Sequence, residues 1–234
     1  MNETKQQPSA LDRVVNDPVS RRRFMALAGG GAAVGLTAVL AACGSDSSSV
    51  ATTAGTTAAT TATTKPVADT GTEQFGKGDL GILNYALTLE YLETAFYKDV
   101  IKSGLFKGSD LATIKKFGAQ EAQHVAALTA AVKQAGGTPA PIPKTKFPLD
   151  SADSVLKLAS TVENLGAAAY LGQAANIQSP AVLASALAIH SVEARHASAL
   201  NTLLGETITP DGAFAKPADA NAVLMSVKPF IVSN

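Results

Sequence analysis

The sequence is poor in several residue types, and each deficit narrows the range of proteins that it could encode. Its 234 residues include a single cysteine, which excludes an intrachain disulfide framework. Lys and Arg together number 19, as do Asp and Glu, and charged residues make up only 16% of the chain. Such a balanced and sparse charge gives no electrostatic basis for binding nucleic acid or an acidic partner. Aromatic residues reach only 5% and tryptophan is absent, while alanine is abundant, which favours closely packed helices over a sheet.

The first 43 residues resemble a bacterial export signal. Arg21 and Arg22 precede Phe24 and an apolar, glycine-rich run that extends to Ala42. This pattern resembles the twin-arginine signal, and the end of the run resembles a lipobox with Cys43 as the acylated residue. The alternative is a transmembrane helix, since about eighteen apolar residues could span a bilayer. Three consecutive glycines and the small residues before Cys43 argue against it.

These features predict an exported protein in the periplasm or on the outer face of the cytoplasmic membrane. A lipid at Cys43 would anchor it to that membrane, although cleavage of the signal without lipidation stays open. Residues 44–75 are mostly Ser, Thr, Ala and Gly and predict a flexible, disordered linker. The folded domain is expected at 76–205. Residues 206–234 form a C-terminal extension that could pack on the domain surface and has no predicted chemistry.

The region 76–205 predicts four helices. They are expected at about 79–103, 109–135, 151–176, and from Pro180 to near Gly205. The first and last connections are short, so each pair should form an antiparallel hairpin. The middle connection, 136–150, is rich in proline and spans about 45 Å when extended, more than the roughly 38 Å length of a 25-residue helix. The sequence therefore predicts an all-α antiparallel four-helix bundle with one long crossover.

Two Glu-x-x-His sequences form the centre of an internal repeat. Glu and His at this spacing leave one face of a helix, and each pair follows a lone Glu by 31 or 30 residues. A tyrosine lies seven residues after each lone Glu. The matched residues of the two halves are Glu90, Tyr97, Glu121 and His124 in the first, and Glu163, Tyr170, Glu193 and His196 in the second.

The surroundings of these residues indicate metal ligation. Glu163 is the only Asp, Glu, Lys or Arg between Lys157 and Glu193. A buried carboxylate without a partner is strongly unfavourable, whereas four carboxylates around two divalent cations carry no net charge. We therefore expect two divalent ions, Fe or Mn, bound by the four Glu and two His. The predicted ligands are Glu90, Glu121, His124, Glu163, Glu193 and His196.

Nearby residues leave alternatives open. Glu93 competes with Glu90 as a ligand because it also lies on an apolar seam, but its repeat counterpart is Gly166. Glu93 is then expected beside the ligands or on the surface. His190 is interpreted as a core residue or a neighbour of the ligands. Tyr97 and Tyr170 could either hydrogen-bond to the ligand carboxylates or pack in the core.

The residues 89–93 with Phe96 and Tyr97, the two Glu-x-x-His sequences and the crossover resemble the ferritin-like superfamily. More narrowly, they resemble exported bacterial ferritin-like proteins that include desiccation-related proteins. The resemblance covers roughly 76–205 and implies an up-down-down-up bundle with a carboxylate-bridged dinuclear site. It implies that Glu121 and Glu193 bridge the two metals. One metal would be completed by Glu90 and His124, and the other by Glu163 and His196.

The family resemblance does not fix an activity. One hypothesis is an oxidoreductase of the ferroxidase or catalase type, acting on Fe(II), O2 or peroxide in oxidative stress. Gly118 and Gly166 are expected to leave room for a small oxidant. The alternative is a non-catalytic metal-binding or envelope stress module at the cell surface. A storage cage fits a lipid tether and a 29-residue tail less well, although the sequence is compatible with a homo-oligomer. The choice between Fe and Mn and the occurrence of turnover stay open.

Overall fold

A computed structural model of the chain describes residues 70–232. Within that range it contains five α-helices, two 3-10 helices and no β-strand, apart from an isolated bridge between Thr145 and Ile231. The helices are α1 (Asp79–Ser103), α2 (Gly108–Gln134), α3 (Ala152–Ala174), α4 (Pro180–Leu203) and α5 (Ala220–Val227), with 3-10 turns at Glu73–Phe75 and Lys228–Phe230. None of these helices has the length and apolar character needed to cross a bilayer. The predicted signal peptide, Cys43 and the linker up to residue 69 lie outside the described residues.

Local sequence signals determine where the helices begin and end. Ser151 and Ser154 form a reciprocal capping box at the start of α3, which satisfies backbone N–H groups that the helix leaves unpaired. Ser179 caps α4, where Pro180 takes the first helical position. Gly104 ends α1 with a φ of 71°, in the left-handed region that glycine adopts without strain. These signals place the four long helices within a few residues of their predicted bounds.

The four long helices form the predicted bundle. Helix α1 pairs with α2 and α3 pairs with α4, while α1 also contacts α3 and α2 contacts α4. The connection between α2 and α3 is the long crossover, and Asn84 of α1 holds its start. The Asn84 side chain donates to the Thr138 carbonyl at 3.1 Å and accepts from the Ala140 amide at 2.8 Å. The all-α bundle with its crossover is confirmed.

Two apolar layers leave a polar layer between them at the middle of the bundle. One layer contains Phe96, Tyr97 and Val100 of α1, and the other contains Leu83 and Leu87 of the same helix. Residues of the other three long helices complete both layers. The middle turns of α1, which carry Glu90 and Glu93, therefore lie between two clusters that exclude water.

The C-terminal extension packs on the bundle. Helix α5 buries Val223 and Val227 in a third apolar cluster with α1 and α3 residues. The Ala218 amide donates to the Ala168 carbonyl at 2.9 Å. A side chain at Gly172 would collide with the carbonyl oxygen of Ala218, so this close approach requires glycine.

Part of the predicted linker also contacts the bundle. Thr70 and Thr72 are buried, and the Gln173 side chain donates to the Thr70 carbonyl at 3.1 Å. Residues 70–75 were expected to belong to the flexible linker, but here they pack against the helices. The physical reasons are the hydrogen bonds from Gln173 and Asn84 and the packing of Phe75 against Tyr85, which are contacts between distant residues that apolar periodicity does not predict.

Candidate metal centre

The six predicted ligands come together in the polar layer, and we call them the Glu/His cluster. Helices α1 and α3 each supply one glutamate, while α2 and α4 each supply a Glu-x-x-His pair. All four carboxylates have no exposed surface, and the two histidines are also buried. The cluster consists of Glu90, Glu121, His124, Glu163, Glu193 and His196.

The Glu/His cluster divides into two overlapping groups. In each group, one donor atom from each of four residues lies within 4.8 Å of the others. Such groups of carboxylate and imidazole donors could hold metal ions. Both groups contain Glu121 and Glu193, the bridging positions implied by the family resemblance. The first group adds Glu90 and His124, and the second adds Glu163 and His196.

His124 directs its Nδ1 atom into the first group. That atom lies 2.9 Å from Glu121 Oε2, 3.0 Å from Glu193 Oε1 and 3.3 Å from Glu90 Oε2. Its three carboxylate neighbours come from three different helices. The imidazole nitrogen is therefore aimed at the point where these carboxylates converge.

His196 has the equivalent position in the second group. Its Nδ1 atom lies 2.9 Å from Glu121 Oε1 and 3.2 Å from Glu163 Oε2. On its other side, Nε2 lies 2.8 Å from Gln120 Oε1, and the ring packs against Phe117 with a centroid separation of 4.1 Å. An imidazole that donates from Nε2 presents the Nδ1 lone pair to the cluster.

Two tyrosines orient Glu90 and Glu163, the outer glutamates, which each belong to only one of the two groups. Tyr170 of α3 donates to Glu90 Oε1 at 2.6 Å, and Tyr97 of α1 donates to Glu163 Oε1. Each hydrogen bond crosses between the hairpins and leaves the second oxygen of its glutamate beside a histidine Nδ1. Both phenols therefore contact the predicted ligand carboxylates, in addition to packing in the core.

Burial dominates the acid–base behaviour of the carboxylates. It raises the pKa of Glu90 to about 8 and raises the pKa of Glu93 and Glu163 well above the usual range, with neighbouring carboxylates adding to the effect. Burial would also raise the pKa of Glu121, but hydrogen bonds from both histidines lower it overall. Glu121 is therefore held as an anion, while Glu90 favours the protonated form at neutral pH, and burial shifts the pKa of Glu93 and Glu163 in the same direction as that of Glu90.

Burial and hydrogen bonding act in opposite directions on the pKa of the two histidines, and hydrogen bonding dominates. Burial would lower the pKa of His124, but its bonds to Glu121, Glu193 and Glu90 raise it to about 12. The same balance, with Glu121 and Glu163 as partners, raises the pKa of His196 to about 10. Without a metal, protons bound to the histidines and to Glu90 thus reduce the repulsion between the carboxylates. A cation that binds to the cluster must displace these protons.

Glu93 is a fifth carboxylate in the interior, beside the four of the Glu/His cluster. Only 3% of its surface is exposed, so of the two expected positions, beside the ligands or on the surface, the structure shows the first. A Cβ atom at Gly166 would lie 2.7 Å from Glu93 Oε1 and 3.5 Å from Glu193 Oε2. At Gly118, a Cβ atom would lie 2.9 Å from Tyr97 Cβ. The expected room for an oxidant beside these two glycines is therefore already filled by Glu93 and Tyr97.

His190 and Gln120 lie near the Glu/His cluster without belonging to either donor group. His190 is partly buried on α4 and places Nδ1 2.9 Å from the Ala167 carbonyl, outside both ligand groups. Gln120 was not singled out from the sequence, although it contacts His196. An exposed glutamine on a helix gives no sequence signal for such a contact, apart from its position next to Glu121.

The donor chemistry of the Glu/His cluster fits a cation. Glu193 Oε2 is buried and has no hydrogen-bond partner in the described structure. Such an oxygen costs free energy unless something positive neutralises it. The fold and the site thus define a class, the all-α bundles whose interior carboxylates and histidines could hold metal ions.

Comparison with known families agrees with this class. Residues 78–206 match the ferritin-like domain family, and the chain belongs to that family. No curated protein sequence matches the chain. Family membership shows the fold and is compatible with a metal site, whereas the assignment of individual ligands stays a prediction.

Proposed function

We propose that the Glu/His cluster binds two divalent metal ions, Fe or Mn, through its four glutamates and two histidines. The observation that carries the proposal is the overlap of two buried donor groups at Glu121 and Glu193. Two shared carboxylates between two otherwise separate groups favour a pair of adjacent ions over a single one. Four ionised glutamates would also balance the charge of two divalent ions.

We further propose that this centre performs redox chemistry on Fe(II), O2 or peroxide. Two ions of Fe or Mn would supply two exchangeable electrons to a small oxidant. The chain's own contribution is to fix the donors and keep them dry. Tyr97 and Tyr170 hold the outer carboxylates, and the apolar layers above and below exclude water.

Metal analysis combined with a turnover assay tests both parts. Reconstituted protein should contain two equivalents of Fe or Mn and should oxidise Fe(II) or consume peroxide. Glu121→Ala and Glu193→Ala should each lose metal because both groups share these residues. Glu206→Ala, an exposed glutamate outside the cluster, serves as the matched control. Less than about half an equivalent in the parent protein would refute the dinuclear centre. Two equivalents without turnover would indicate the non-catalytic metal-binding module instead.

We also propose that the protein works outside the cytoplasm, anchored by lipid at Cys43. The support is the sequence pattern around Arg21, Arg22 and Cys43. Cell fractionation with fatty-acid labelling provides the test. Cys43→Ala should release the protein from the membrane fraction, and Arg21→Lys with Arg22→Lys should retain it in the cytoplasm. Cytoplasmic parent protein without incorporated label would contradict the proposal.

A further inference from the structure

The two halves of the Glu/His cluster share their ligands but differ in what surrounds each histidine. In the repeat, position 120 corresponds to 192 and position 117 to 189. The first pair is Gln120 and Val192, and the second is Phe117 and Ile189. The first half of the repeat therefore has a polar acceptor and an aromatic ring where the second half has two aliphatic residues.

These sequence differences give the imidazoles of His124 and His196 different surroundings. Gln120 Oε1 lies 2.8 Å from His196 Nε2, and the Phe117 ring packs on the same imidazole. His124 Nε2 has no hydrogen-bond partner within residues 70–232. The His124 side chain is 11% exposed, against 4% for His196. The imidazole of His196 is therefore hydrogen-bonded by a side-chain amide, while that of His124 has no such partner among the described residues and is slightly more exposed.

A capped Nε2 matters for ligation through Nδ1. A neutral imidazole carries one proton, so the ring can offer Nδ1 to a cation only when Nε2 holds that proton. An acceptor at Nε2 stabilises this tautomer, fixes the ring plane and raises the basicity of Nδ1. Gln120 provides this acceptor to His196. His124 must rely on water instead.

We propose that the two ion positions are inequivalent and that Gln120 is the positioning residue that makes them so. The inference rests on the proposed dinuclear centre. The position at Glu163 and His196 binds its divalent ion more tightly. The position at Glu90 and His124 is the exchangeable one, through which an ion in solution loads or leaves. The tyrosine contacts are matched between the halves, so they do not account for the difference.

Anaerobic titration of the metal-free, full-length protein with Mn²⁺ tests this inference, with calorimetry and electron paramagnetic resonance as readouts. The parent protein should bind in two resolved steps. His196→Ala should remove the tighter step and His124→Ala the weaker one. Gln120→Leu should weaken the tighter step by about tenfold, the lower end of the effect of outer-shell partners, because Gln120 is exposed.

Two further variants separate the hydrogen bond from general packing. Gln120→Glu keeps an acceptor and should restore the tighter step, while Gln120→Leu should leave the melting temperature of the metal-free protein unchanged. Val192→Gln supplies the missing amide at the repeat-equivalent position and should narrow the gap between the steps. Two indistinguishable steps in the parent, or an unaltered tighter step in Gln120→Leu, would overturn the inference alone. A parent protein that binds no Mn²⁺ would instead remove the proposed centre.

Discussion

Tyr170→Phe tests the contribution of a single hydroxyl group, through which one hairpin hydrogen-bonds to a cluster glutamate of the other. The substitution deletes the hydroxyl that donates to Glu90 Oε1 at 2.6 Å and keeps the buried ring. Without metal, burial raises the pKa of Glu90 to about 8, so its carboxyl group is mostly protonated at pH 7. The lost bond is then one between neutral groups and costs about 1 kcal/mol.

Metal binding changes the magnitude of this loss. A ligating Glu90 is ionised, and a hydrogen bond to an ionised group contributes about 1.5–3 kcal/mol. The variant should therefore lose about 0.5–2 kcal/mol more stability with metal than without it. By linkage, this difference equals a weakening of metal affinity by roughly 2- to 30-fold.

The assay is denaturant unfolding at pH 7 with and without Mn²⁺, together with a direct Mn²⁺ titration. Tyr91→Phe is the matched control, because Tyr91 is adjacent to Glu90 in sequence and its hydroxyl has no hydrogen bond in the described structure. The control should change neither the free energy of unfolding nor the Mn²⁺ affinity. Equal destabilisation of Tyr170→Phe in both forms, with unaltered Mn²⁺ affinity, would refute the role assigned to the hydroxyl.

Three other predictions concern protons and close contacts. Metal-free protein should lose stability as pH rises from about 5 to 8, because its folded state holds protons that the unfolded chain releases. Burial raises the pKa of Glu90 and Glu163, and hydrogen bonds raise the pKa of both histidines. Urea unfolding across this range should show the decline, and metal loading should remove it; rising stability would contradict the assignment. Gly166→Ala places Cβ 2.7 Å from Glu93 Oε1 and should cost about 1–3 kcal/mol in urea unfolding. Glu93→Ala in the same chain should recover most of that loss, and the absence of recovery would exclude this contact as the cause. Gly172→Ala should displace the segment at Ala218 and increase proteolysis between α4 and α5, while parental resistance would show that the segment adapts.

The helices and the ligand positions could be predicted because their signals are local or periodic. Gly104, Ser151 and Pro180 mark helix ends through backbone chemistry that acts over a few residues. The two Glu-x-x-His pairs were recognisable because carboxylates are rare among the apolar residues around them. These features need no knowledge of how distant segments pack.

The remaining features depend on contacts between distant segments. The repeat favoured Glu90 over Glu93 as a ligand, but it could not show that Glu93 is also buried opposite Gly166. Gln120 looks like an ordinary exposed residue until the α2–α4 contact brings it to His196. Likewise, α5 is a short helix whose position is determined by the bundle surface rather than by its own sequence.

The division of the ligands between the hairpins has a consequence for folding. Most helix–helix contact lies within the α1–α2 and α3–α4 pairs, yet each donor group needs a glutamate from the opposite hairpin. Neither hairpin alone presents a complete group, so metal capture must follow hairpin docking. The ions then act as a late cross-link between two preformed halves. Separation of the hairpins should accordingly break both donor groups and release both ions.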